Sequence, residues 1–77
     1  MIDTQLKNII TNTLGADEAE VVEEADFVLD LNATEDELME IKHQLEEHFA
    51  ITLPIESAEL FPRTIAELAE LVNDACL

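Results

Sequence analysis

Side chains that could do catalytic chemistry are few in this sequence, and their spacing does not bring them together. His43 and His48 are five residues apart on a predicted helix, so they do not face each other, and neither lies in a metal-binding spacing. Ser57 is the only serine, and no glycine-rich elbow surrounds it. Cys76 stands alone, which excludes an internal disulfide and hints at no metal cluster. We therefore expect a protein that is not an enzyme.

One segment imitates the opening of a calcium-binding loop. Asp30, Asn32 and Thr34 follow the alternation that such a loop requires. The glycine of that pattern is replaced by Glu35, however, and its twelfth position is Ile41 instead of a bidentate glutamate. We expect only diffuse binding of divalent cations, and no metal site.

The charge is the strongest signal in the composition. Nineteen carboxylates face three cations, which gives a formal net charge of −16. Such a surface repels nucleic acid and anionic lipid, and it favours partners that carry Lys/Arg patches. Two alternatives stay open: the acidity serves solubility alone, or it imitates nucleic acid to block a DNA-binding protein.

The N-terminus shows no basic stretch followed by an apolar run, so no signal peptide is expected. No apolar stretch approaches the roughly 20 residues of a membrane span. These features predict a cytoplasmic protein, and we expect a monomer.

Apolar residues recur at helical spacing in three segments, 2–14, 35–49 and 65–75. A shorter helix is expected at 56–60, before Pro62. The residues predicted to face the core are Ile2, Leu6, Ile9, Ile10, Leu14, Leu38, Ile41, Leu45, Phe49, Ile65, Leu68, Leu71 and Val72. Three longer helices and one short one predict an all-α protein, a four-helix bundle forming a single domain over residues 1–77.

Capping signals mark the predicted helix starts. Thr34 with Glu37, and Thr64 with Glu67, have the spacing of capping boxes, and Gly15 supplies a left-handed stop after the first helix. The long first loop, 16–34, is not periodic, but its apolar residues suggest that it packs across the helices. A short strand near Val21 or Phe27 is the competing interpretation.

The sequence of residues 27–49, FVLDLNATEDELMEIKHQLEEHF, resembles the core of acyl carrier proteins. Their usual pattern is F-x-x-D-L-G-x-D-S-L, followed by an acidic helix that ends E-E-x-F. The resemblance extends upstream to the segment KNIITNTLG at 7–15, and downstream to residues 51–54 and the helix after Thr64. It therefore covers nearly the whole chain. It implies a four-helix bundle of acyl-carrier type with a long first loop.

The resemblance also implies a function. Family members carry acyl groups on a 4′-phosphopantetheine arm attached to the serine of D-S-L, and enzymes with basic patches dock on the second helix. In this sequence Thr34, Glu35 and Asp36 match D-S-L, and Asn32 replaces the family glycine. A carboxylate cannot accept the arm as a serine hydroxyl does, so we expect no bound cofactor.

Two hydroxyl groups could rescue attachment: Thr34, which lies one residue early and about 100° away around the helix, and Ser57, which lies in another segment. Lys42 falls near the region that opens onto the acyl-chain cleft in the family. Its charge should discourage a buried fatty chain, or it could simply pair with Glu46.

What remains of the family pattern is its acidic second helix. The residues expected to dock a partner are Glu35, Asp36, Glu37, Glu40, Glu46 and Glu47. The leading hypothesis is a carrier-like binding module without a phosphopantetheine serine that docks a basic partner, for example a synthase-type enzyme. The alternative is a working acyl carrier in fatty acid or polyketide-type biosynthesis with an unusual attachment. A purely solvated helix face also stays open.

Overall fold

The computed structural model describes residues 4–76, which form a small all-helical protein. Its α-helices are α1 (Thr4–Leu14), α2 (Glu35–Phe49) and α3 (Ile65–Ala75). Two 3₁₀ turns, Glu18–Glu20 and Ala58–Leu60, lie in the connections. The predicted short helix at 56–60 is therefore a single 3₁₀ turn, and the described residues hold three α-helices.

The first helix ends where the sequence predicts. Gly15 adopts a left-handed backbone, with φ of 67°, and its N–H donates to the Thr11 carbonyl at 2.8 Å. The predicted start of this helix at Ile2 lies outside the described residues.

The second helix has a complete capping box. The Thr34 hydroxyl accepts from the Glu37 amide at 3.2 Å, and the Glu37 carboxylate accepts from the Thr34 amide at 2.9 Å. At the other end Ala50 is left-handed, with φ of 54°, and its N–H reaches the Glu46 carbonyl. The predicted bounds of this helix, 35–49, are confirmed. The prediction succeeded because strong local signals fix the start of the helix.

The third helix begins at the predicted residue, but its capping box is only half formed. Thr64 accepts from the Glu67 amide at 3.2 Å, as expected. The Glu67 carboxylate, however, accepts from the Arg63 amide at 3.0 Å instead of the Thr64 amide. The prediction of a reciprocal second box is wrong because Glu67 bonds the amide one residue earlier.

One core joins the helices and the long first connection. Its buried apolar residues are Leu6, Ile10, Val21, Ala25, Phe27, Leu38, Ile41, Leu45, Leu53, Ile55, Phe61, Ile65, Leu68 and Val72. Phe27 and Phe61 meet edge to face, with ring centroids 5.0 Å apart. Ile9, Leu14, Phe49 and Leu71 are half-buried and pack against this core, which confirms that they face it.

The first connection packs across the helices, as its apolar residues predict. Val21, Ala25 and Phe27 enter the core. Asp26 and Thr64 form one isolated antiparallel bridge, and no strand occurs within residues 4–76. The competing strand interpretation is therefore wrong. None of the helices in this part of the chain is long and apolar enough to cross a membrane.

Candidate functional site: the exposed face of the second helix

The exposed face of α2 carries a line of polar side chains that we call the acidic ridge: Asp36, Glu40, His43 and Glu47. These four residues follow i, i+4, i+7 and i+11 spacing, which places them on one side of a helix. All four are exposed, whereas Leu38, Ile41 and Leu45 are buried on the opposite side. The ridge presents three carboxylates and no lysine or arginine to solvent.

The other expected docking residues divide by the bonds they make. Glu37 closes the capping box, and Glu46 accepts from the Leu53 amide at 2.8 Å. Both are half-buried. Glu40 accepts from Gln44 at 3.2 Å, while Glu35 is exposed. Structural bonds therefore occupy Glu37 and Glu46, and the ridge with Glu35 is the part of the acidic set most available to a partner.

The position that matches the family's attachment serine is the first residue of α2. Glu35 is exposed there, beside the positive end of the helix dipole. Thr34, the nearby hydroxyl, is already engaged as the helix cap. Asn32, which stands where the family has glycine, keeps a left-handed backbone with φ of 53°, a conformation that asparagine tolerates better than most residues.

Lys42 is half-buried on the flank of α2. It makes no ion pair with Glu46 in the described part of the chain, since the Glu46 carboxylate bonds the backbone after the helix. The prediction of a Lys42–Glu46 pair is therefore wrong.

A second polar cluster lies in the tight turn of residues 26–33, which we call the Asp26 turn. Oδ1 of Asp26 accepts from the Val28 and Leu29 amides, each at 2.9 Å. Oδ2 accepts from Nε of Arg63 at 2.8 Å, and the Asp26 amide donates to the Asp30 carboxylate at 2.7 Å. One carboxylate thus joins the first connection to the segment that leads into α3.

The same contacts shift the titration of both charged partners. The Leu29 amide bond, followed by the Arg63 bond, holds the pKa of Asp26 below its ordinary value of 3.8. The bond to Asp26 in turn raises the pKa of Arg63. Asp26 is therefore ionised over the whole neutral range.

A groove of about 360 Å³ lies between the Asp26 turn, the first turns of α2 and the second 3₁₀ turn. Its apolar lining comes from Phe27, Val28, Leu29, Leu38, Ala58 and Phe61. Asp26, Glu59 and Arg63 contribute its polar lining. The groove therefore opens beside the N-terminal end of the acidic helix.

The residues considered first for catalysis stay dispersed. His48 contacts Gln5 of α1 at 2.8 Å, whereas His43 is on the acidic ridge. Ser57 is exposed before the second 3₁₀ turn, and Cys76 is an exposed free thiol after α3. Residues 4–76 contain no group of three or more His, Cys, Asp or Glu side chains placed to hold a metal ion.

No protein-family model matches this sequence. The functional interpretation therefore depends on the residues and their geometry. Sequence reasoning identified the acidic helix but missed the Asp26–Arg63 contact, because the two residues are 37 positions apart and neither belongs to a local motif. It also missed the role of Glu46, whose partner is a backbone amide beyond the helix.

Proposed function

We propose that this protein is an acyl-carrier-like binding module that works without a prosthetic arm and docks a basic partner through α2. A four-helix arrangement of the acyl-carrier type is part of the same proposal. The observation that carries it is the acidic ridge: three exposed carboxylates on one helix face, with no cation among them. Complementary charge steers such a surface towards Lys/Arg patches and fixes its orientation.

The position of Glu35 supports the absence of an arm. A carboxylate at this residue cannot form the phosphodiester link that a serine hydroxyl forms, and the Thr34 hydroxyl caps the helix. Using Thr34 for attachment would cost α2 its capping box. The working-carrier alternative would then need Ser57, which is exposed in a different segment.

The docking claim can be tested with matched charge variants. The wild-type protein is immobilised, and the partner proteins that it retains at low salt are measured. The same measurement is repeated with D36N/E40Q/E47Q and with E18Q/E20Q/E24Q. Both triple variants remove three exposed negative charges, so they share the same net charge.

We expect the ridge variant to lose the bound partner and the control variant to keep it. Added salt should weaken the wild-type complex, because exposed charges are screened over about 10 Å at 0.1 M. If both variants recovered as much partner as the wild-type protein, docking through the ridge would be refuted. If both lost the partner to the same extent, the attraction would come from net charge alone, which would also refute docking through the ridge.

A further inference from the structure

We propose that the groove beside α2 receives an apolar side chain from a basic amphipathic helix of the partner protein. The inference rests on the proposed docking function and adds a second component to it. The acidic ridge supplies attraction and orientation, while the groove supplies the apolar anchor.

The rim of the groove exposes apolar side chains to an unusual degree. Leu29 is 71% exposed and Val28 is 55% exposed, and both line the groove. Leu60, at 58%, follows the lining residue Glu59 in the chain but does not itself line the groove. Single exposed apolar residues are ordinary, but a cluster around one concave site is typical of an interaction surface.

Val22 shows that this clustering is local. It is another of the four large apolar side chains that are exposed within residues 4–76, at 44%, and it lines a different pocket, with Glu20 and Glu24. Two of the four exposed side chains, Val28 and Leu29, therefore line the groove.

The charges around the groove select a cationic occupant. Glu59 is an exposed carboxylate in the lining, and Glu35 and Asp36 are exposed in the first turn of α2, which also contributes Leu38 to the lining. The cation in the lining, Arg63, bonds to Asp26. Lysine and arginine side chains of a partner would be attracted to these carboxylates.

The dimensions suit a side chain presented by a helix. The volume of about 360 Å³ is at the low end of the roughly 300–1,000 Å³ typical of small-molecule pockets. An amphipathic helix places apolar residues one turn apart into such a groove and leaves its basic residues free to meet surrounding carboxylates. At protein interfaces a few buried anchor residues usually supply most of the binding energy, and a rim of other contacts surrounds them.

Two synthetic helical peptides provide the test. Both are lysine-rich, and they differ only at two positions one turn apart, which hold leucine in one peptide and alanine in the other. Each is titrated into the wild-type protein, V28A/L29A and the control V22A, with backbone amide and methyl NMR shifts as the measurement. The substituted side chains are exposed, so the variants should fold.

We expect the leucine peptide to bind about tenfold more tightly than the alanine peptide and to shift the Val28 and Leu29 signals. This preference should disappear in V28A/L29A and persist in V22A. Equal affinity for the two peptides, with both weakened by D36N/E40Q/E47Q, would overturn the groove proposal and leave ridge docking standing. If neither peptide bound, both proposals would fail.

Discussion

The Asp26 turn and the acidic ridge use the same chemical group for opposite purposes. At Asp26 a nearly buried carboxylate accepts three hydrogen bonds and joins two distant segments. On the ridge, Asp36 and Glu47 project from a helix whose fold is held by the opposite face. The comparison shows that net charge alone does not locate a functional site, because some of the nineteen carboxylates stabilise the fold.

The largest effect should come from the apolar side of the Asp26 turn. Phe27 is 1% exposed and packs against Phe61, so Phe27→Ala should cost about 3–5 kcal/mol of unfolding free energy. Urea denaturation measures this loss. Phe49→Ala, at a half-buried position, is the matched control and should cost less. Similar costs at both positions would show that the turn is not a special part of the core.

Among carboxylate substitutions, Asp26→Asn should lower the thermal midpoint most, because it weakens the bonds to the turn and to Arg63. Asp17→Asn is the matched control. Asp17 precedes the first 3₁₀ turn, and its side chain makes no capping bond there. Circular dichroism measures the thermal midpoints of the two variants. Equal midpoints would contradict the structural role assigned to Asp26.

The stability that Asp26 provides should depend on pH. Its pKa is lower in the folded protein than in the unfolded chain, so the unfolded chain binds the proton more tightly. The contribution is fully present above the ordinary value of 3.8 and is lost as the pH falls through the lower folded value. Chemical denaturation between pH 2 and pH 6 should show the wild-type advantage over D26N shrinking towards the acid end. An advantage that stays constant over this range would contradict the account.

Glu46 and Glu47 offer the finest test, since they are neighbours with equal charge. Glu46→Ala removes the bond to the Leu53 amide and should cost about 1 kcal/mol. Glu47→Ala should stay within about 0.5 kcal/mol of wild type, because Glu47 is exposed on the ridge. The two unfolding free energies are compared at one salt concentration. A larger loss at Glu47 would reverse the assignment of structural and available carboxylates.

The sequence predicted most where signals are local. Thr34 and Thr64 fixed the starts of α2 and α3, and Gly15 fixed the end of α1. The sequence did not predict the hydrogen-bond partner where a side chain had two possible partners nearby. Glu67, for example, accepts from the Arg63 amide. A segment as short as the second 3₁₀ turn carries too few residues for periodicity to fix its type.

The site was predictable in part for the same reason. Helical spacing alone placed Asp36 and His43 of the ridge away from the core. The groove was not predictable, because it is formed by three segments that are remote in the chain. Nor could spacing separate Glu46 from Glu47, since the difference between them lies in where the chain runs after α2.

The central claim is a carrier-like module that acts without an attached arm, and intact mass spectrometry tests it most directly. The protein is incubated with a phosphopantetheinyl transferase and coenzyme A, beside a conventional acyl carrier protein as a positive control. Our account requires the mass of this protein to stay unchanged while the control is modified. A mass increase equal to one phosphopantetheine group, whether on Ser57, Thr34 or elsewhere, would contradict it.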